Sequence, residues 1–371
     1  MKPPIQNNYK KNKKSGVYRV VGLMSGTSLD GLDIAFCEFS QNKGSKWQYK
    51  ILKAETIKYQ KAFTEKLATA ENKNGEELAL LDVELGRYFG KQVNIFIKKN
   101  NLSAIDLVSS HGHTIFHRPE KSLTLQIGSG AHIAAATKLA VVCDFRRKDV
   151  AMGGQGAPLV PIGDKLLFGN YDFCINLGGI ANVSYTIKGN RIAFDICPVN
   201  MVLNQLANRV GLKYDKGGKI ASSGKINSAL LVELNQLSFY KKKHPKSLGK
   251  EWVTEKFFPI LNKFNGLKIS DIMATIVEHI AIQIGNSLKK SSVKGNKVIF
   301  TGGGVFNTYL MERIKFHCTD YDLEIPSTEI INFKEALIFA FLGVLRWKKK
   351  VNCLKSVTGA CEDNVGGCVY E

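Results

Sequence analysis

The chain has 371 residues, 44% of them apolar, too many for one ordinary core and enough for two. No apolar run has the length of a membrane span, and Met1–Lys10 lacks the apolar core of a secretion signal, so a cytoplasmic location is expected. The formal net charge of +20 is spread along the chain and is mostly Lys. Local basic runs (Lys10, Lys11, Lys13, Lys14; Lys241, Lys242, Lys243) come with no recognition motif and no interleaved aromatics, which describes a solvated surface and not a nucleic-acid interface.

Residues 1–16 read as a disordered basic leader. From Val20 to Phe36, two apolar strands flank a turn of small, hydroxyl and carboxylate residues: Gly26, Thr27, Ser28, Leu29, Asp30, Gly31 and Asp33. Glycines let backbone N–H groups approach phosphate oxygens, Thr27 and Ser28 add donors, and Asp30 and Asp33 suit the water shell of a nucleotide-bound Mg²⁺. An ordinary Asp-Gly hairpin turn is the plainer alternative. Because strand follows the glycines, neither a Walker loop nor a dinucleotide fingerprint fits.

Lys46–Tyr59 reads as a further strand, and Glu76–Lys98 as a helix with one apolar stripe, Leu81, Leu85, Phe89, Val93 and Phe96. A short strand at Ile105–Ser110 leads into His111, Gly112, His113 and His117, and another at Leu139–Cys143 leads into Asp144, Arg146 and Asp149. Polar clusters at the carboxyl ends of strands are where open α/β sheets place ligands. The three histidines fit a metal site, the orientation of a sugar hydroxyl, or plain structural roles; a fourth metal ligand is not evident. Asp144, Arg146 and Asp149 suit an anionic or polyhydroxylated ligand or a strand-end salt bridge. Gly153–Pro158, with Gln155 at its centre, is too glycine-rich for an element and reads as a mobile loop or hinge.

Two more glycine-rich strand ends follow, at Gly178-Gly179 and at Gly302-Gly303-Gly304 with Asn307, so that the chain reads as two related halves. The third lies between helical patterns, and its bare backbone would accept a flat group such as an adenine ring, or serve tight helix–strand packing. Asp195 ends an apolar strand, Arg191–Asp195, before a helix; it could cap that helix, orient a metal-bound water or act as general base. Glu335 stands in the first turn of a strongly apolar helix, Phe333–Trp347, where the helix dipole alone would favour it. The eight cysteines form no Cys-x-x-Cys pair, so reduced, mostly buried thiols are expected.

Seven ordered blocks carry a resemblance to a known family: Gly22–Gly31, Ser110–Gly112, Gln126–Gly128, Asp144–Arg146 with Asp149, Gly153–Leu159, Asn176–Gly179 and Gly302–Asn307. From about Val20 to Tyr370 the chain resembles the anhydro-N-acetylmuramic acid kinases, sugar kinases of the actin, hexokinase and heat-shock ATPase superfamily. The resemblance implies an α/β fold of two ribonuclease-H-like domains with an interdomain active-site cleft. Domain I would take residues 17–168 and 333–371, and domain II residues 169–332.

It implies ATP and Mg²⁺ as cofactors and anhydro-N-acetylmuramic acid as substrate, opened by water at the anomeric carbon and phosphorylated on O6. Gly26–Asp33, Gly178, Gly179, Gly302–Gly304 and Asn307 would meet the nucleotide. His111, Gly112, Asp144, Arg146, Asp149 and Gln155 would meet the sugar, with Asp195 as base and Glu335 as a second acid. The likeness also allows a homodimer. Simple N-acetylhexosamine kinases and nucleotide-gated binding proteins share the scaffold and stand as alternatives. The chain departs from the family pattern at Ile196–Asn200, at Asn204 and at His113, beside the expected sugar contacts.

Overall fold

In the computed structural model, which describes residues 16–26, 29–42 and 46–371, the chain divides into two units, residues 1–167 with 333–371 and residues 168–332. The leader to residue 15, and Thr27 and Ser28 of the first glycine loop, lie outside the described residues.

In the first unit β1 (Val17–Ser25), β2 (Leu32–Gln41) and β3 (Trp47–Ile57) form an antiparallel meander. Val20, Val21 and Leu23 on β1 and Leu32, Ile34 and Phe36 on β2 are all buried. Burial on both faces of a sheet explains why these strands read as continuous apolar runs without alternation. On the other side of β1, β4 (Leu107–Arg118) runs parallel to it and β6 (Val141–Cys143) parallel to β4. The C-terminal strand Cys368–Tyr370 closes the edge antiparallel to β6.

One strand overruns its expected end at Ser110. The second half of β4 pairs antiparallel with β5 (Leu123–Ile127), from His113↔Ile127 to Arg118↔Leu123. His111, Gly112 and His113 are strand residues, and from His113 onward the strand is held in register by a partner that the local sequence does not announce.

The helix Gly75–Lys99 starts with a capping box, in which Asn74 Oδ1 accepts the Glu77 N–H at 2.9 Å and Glu77 Oε2 accepts the Asn74 N–H at 3.2 Å. Its stripe of Leu81, Leu85, Phe89, Val93 and Phe96 is buried as its spacing requires. The helix Thr328–Trp347 packs across β1 with Ala336 through Leu342 all buried. Gly22 makes that approach feasible, since a Cβ there would stand 2.2 Å from the Ala336 carbonyl oxygen and 2.8 Å from Ala340 Cβ.

The second unit repeats the strand order. Its meander is β7 (Phe173–Leu177), β8 (Ile180–Ile187) and β9 (Asn190–Pro198), and β10 (Lys297–Thr301) and β11 (Asp322–Glu324) lie parallel to β7 on its other side. Two sheets with the same order express the architectural repeat as topology. The helix Ile269–Lys289 packs into the core of this unit, with Ile276, Val277, Ile280, Ala281 and Ile284 fully buried.

Strand β9 also exceeds its expected end, continuing three residues past Asp195. It carries a bulge there: Ala181 faces Cys197 and Asn182 faces Asp195, so Ile196 is the extra residue. All eight cysteines are free, five of them buried. Among the described residues no helix is long and apolar enough to cross a membrane.

Candidate active site

The turn from β1 to β2 is fastened at both ends. Ser25, buried at the end of β1, places its Oγ 2.9 Å from His113 Nδ1 and 2.7 Å from the Tyr59 hydroxyl. Burial pushes His113 down to about 4 and the Tyr59 hydroxyl well up, so both are neutral at pH 7. Leu29 adopts φ 59° and donates its N–H to the Gly26 carbonyl at 3.2 Å. At the far end Gly31 lies against β3, where a Cβ would come within 2.4 Å of the Ile57 carbonyl oxygen. The backbone at Leu29 and Gly31 is thus set by these contacts.

Asp33 is half-buried and accepts the Thr56 hydroxyl at 2.5 Å. Desolvation raises its pKa, Thr56 opposes the rise, and the charge of Asp30 adds to it. Glu335 keeps solvent access, but the protein around it desolvates its carboxyl and raises it above the usual range, with Arg146 pulling it back and Asp33 adding to the rise. Asp30, Asp33 and Glu335 form a chain of mutually repelling acids. That is the donor chemistry a divalent cation would relieve.

Arg146 holds the rest of this unit's polar cluster together. Its Nε and Nη2 donate to His111 Nε2 at 3.1 and 2.9 Å, and its Nη1 donates to the Gly156 carbonyl at 2.7 Å. Burial lowers Arg146 to about 10, with Glu335 opposing. His111 donates from Nδ1 to the Gly112 carbonyl, which leaves Nε2 as the acceptor that Arg146 needs; burial and the arginine charge keep it neutral. Its ring lies 4.4 Å from that of Phe339.

The three histidines do not converge. His113 turns to Ser25, His111 to Arg146, and His117 to the Thr124 hydroxyl at 3.1 Å. Among the described residues no group of three His, Cys, Asp or Glu could hold a metal ion.

Asp149 is held within the protein. It is fully buried, with Oδ1 accepting from Thr358 and Asn364 at 2.9 Å each and Oδ2 accepting from the Gly156 N–H at 2.8 Å. A carboxylate so committed fastens the Gly153–Pro158 loop. The loop itself is tied down rather than hinged, because Gln155 N–H also donates to the Thr358 carbonyl at 2.7 Å. The Gln155 residue remains exposed. Asp144, at φ 58°, turns toward Arg147 at 3.5 Å and helps line a recess of about 170 Å³ with Asp82, His111, Gln126, Ser129 and Arg147.

In the second unit the Gly178-Gly179 turn is held from behind: the Gly179 carbonyl accepts Val199 N–H at 2.8 Å and Met201 N–H at 3.1 Å. A Cβ on Gly179 would meet nothing nearer than Met201 at 3.8 Å. The triple glycine divides by role. Gly302 (φ 84°) and Gly304 press on the end of β7, where added Cβ atoms would stand 2.5 Å from Asn176 Oδ1 and 2.7 Å from Leu177 Cβ. Gly303 is exposed, and a Cβ there would find only Asn200 Nδ2 at 3.9 Å. Asn307 commits its side-chain oxygen to the Leu310 N–H at 3.0 Å, capping the helix Thr308–His317.

Asp195 is half-buried, beside the bulge, and neither isolated nor a helix cap. Its Oδ2 accepts the Leu248 N–H at 2.8 Å, while among the described residues Oδ1 accepts no hydrogen bond. Desolvation raises its pKa, and the Leu248 N–H and the nearby Lys246 charge oppose the rise.

This division of labour has a counterpart among known proteins. The family model of anhydro-N-acetylmuramic acid kinase matches residues 18–371. The chain belongs to the anhydro-N-acetylmuramic acid kinase family. The kinase of that name from Saccharophagus degradans is 38% identical over 94% of this chain and 98% of its own, and that from Haemophilus influenzae 34% identical over 92% and 94%. Among solved structures, a ROK hexokinase from Thermus thermophilus aligns over 88% of this chain and 99% of its own at 12% identity and a TM-score of 0.37, too distant to add to the assignment. This kinase carries two features that local sequence did not point to, the Ser25–His113–Tyr59 anchor and the Lys246–Leu248 contact with Asp195. Both join residues far apart in the chain, and Lys246 had blended into a lysine-rich stretch.

Proposed function

We propose that this kinase acts in the cytoplasm in cell-wall recycling, using ATP to convert 1,6-anhydro-N-acetylmuramic acid to N-acetylmuramic acid 6-phosphate. Water adds to C1, the C1–O6 bond breaks, and O6 takes the γ-phosphoryl group as ADP leaves. Asp195 receives the water's proton. Its open Oδ1, with Oδ2 fixed by a backbone N–H, is the observation that carries the hydrolytic step, and desolvation gives it the raised basicity that this role needs. The leaving O6 needs no separate acid, because phosphoryl transfer traps it.

Gly26, Leu29 and Gly31 present backbone to the phosphates, with Gly178-Gly179 in support, and Gly303 offers bare backbone to the adenosine. Asp30 and Asp33 would face the water shell of a nucleotide-bound Mg²⁺, which when bound would neutralise phosphate charge, and Glu335 is a second acid near the reacting centre. His111, Gly112, Asp144 and Arg146 meet the sugar, with Arg146 held in place by His111 and Gly156.

ADP release measured side by side with anhydro-N-acetylmuramic acid, N-acetylmuramic acid and N-acetylglucosamine tests the substrate. ADP is expected with the anhydro sugar alone. Comparable turnover of the other two would favour a simple hexosamine kinase.

A further inference from the structure

Strand β9 is the edge of its sheet, and the segment Lys246–Leu248 runs along it at the position of Asp195. The Asp195 N–H donates to the Lys246 carbonyl at 3.2 Å, and the Leu248 N–H donates to Asp195 Oδ2 at 2.8 Å. Two backbone contacts therefore fix the strand and aim its carboxylate.

The Lys246 ammonium is held against Phe239 and against Phe194, the residue before Asp195: it donates to the Phe239 carbonyl at 3.4 Å and lies 4.4 Å from the Phe239 ring centroid and 5.5 Å from that of Phe194. Phe239 is followed by Tyr240, whose hydroxyl donates to His279 Nε2 at 2.9 Å, while His279 Nδ1 donates to Asn235 Oδ1 at 2.7 Å. His279 is fully buried in the helix Ile269–Lys289, so the segment is anchored in the core.

We propose that Lys246 is a positioning residue for the Asp195 base, its backbone carbonyl and its ammonium setting the direction and the charge of that carboxylate. The proposal rests on the reading of Asp195 as the base. Other titratable groups act on the pair: Cys197 on the same strand interacts with both, Tyr240 with Cys197, and Lys290 beyond the buried helix repels Lys246. Lys246 is the cation that favours the ionised carboxylate. Without it the protonated form gains, and the acidic limb of activity moves to higher pH.

The test compares Lys246→Met, which keeps the aliphatic stem, with Lys246→Arg, which restores the charge. In each, the pH profile of kcat/KM is measured, and the Asp195 carboxyl is titrated by ¹³C NMR of protein labelled at aspartate, assigned by its absence in Asp195→Asn. In Lys246→Met both the titration and the acidic limb should move to higher pH, with a loss of roughly threefold or more at the acidic end and near-native rates at the alkaline end. Lys246→Arg should restore both. An Asp195 titration unmoved in Lys246→Met overturns the proposal. A moved titration beside an unmoved acidic limb and an active Asp195→Asn overturns the assignment of the base, and the role of Lys246 in the reaction with it.

Discussion

Asp195→Asn is expected to lower kcat by roughly 10²–10⁴-fold, the usual cost of removing a general base. The amide keeps the size of the side chain and an oxygen for the Leu248 N–H, so the contact that fixes Oδ2 survives. What it loses is the capacity to accept a proton. The lost interaction develops in the transition state, so KM for the sugar should change far less than kcat, and ATP affinity should hold. The wild-type acidic limb should lie above the ordinary aspartate range, because desolvation raises this carboxyl and activity requires its ionised form. If the folded variant turns over near the native rate, the base is elsewhere. Glu335 and Asp144 are then the first candidates, since the oxygens of Asp149 are occupied by protein donors.

Gly303→Val should raise the KM for ATP by roughly tenfold or more, the scale of about 1.4 kcal/mol or more of lost binding, while leaving the fold intact. The side chain would enter space where the protein offers only Asn200 Nδ2 at 3.9 Å. Its neighbour provides the control. Gly304→Ala puts a Cβ 2.7 Å from Leu177 Cβ and 2.9 Å from the Leu177 carbonyl oxygen, and overpacking of that kind costs about 1–3 kcal/mol of stability. Thermal melts and ATP titrations on the two variants separate a ligand role from a packing role. Unchanged ATP affinity in a stable Gly303→Val protein would move the adenosine off this loop.

Features with a local cause were legible in the sequence. The helix Gly75–Lys99 shows its buried stripe in its spacing, and the three glycine-rich turns mark the carboxyl ends of β1, β7 and β10. Features set by distant partners were not. Strand β4 runs on past Ser110 into its pairing with β5, which begins at His113, and the Asp149 carboxylate is bound by Thr358 and Asn364, more than 200 residues away. Asp195 reads as an isolated acid for the same reason, since the backbone N–H that aims it comes from Leu248, 53 residues later. The triple glycine reads as one motif, yet only its middle residue faces open space.

The central claim is that ring opening by water and phosphoryl transfer are one coupled reaction. Turnover of the anhydro sugar in ¹⁸O-water, with product analysed before anomeric exchange proceeds, tests it most directly. The account predicts one ¹⁸O at C1 for each ADP released and the sugar's original oxygen retained in the 6-phosphate ester. ADP formation with no label at C1 would contradict it.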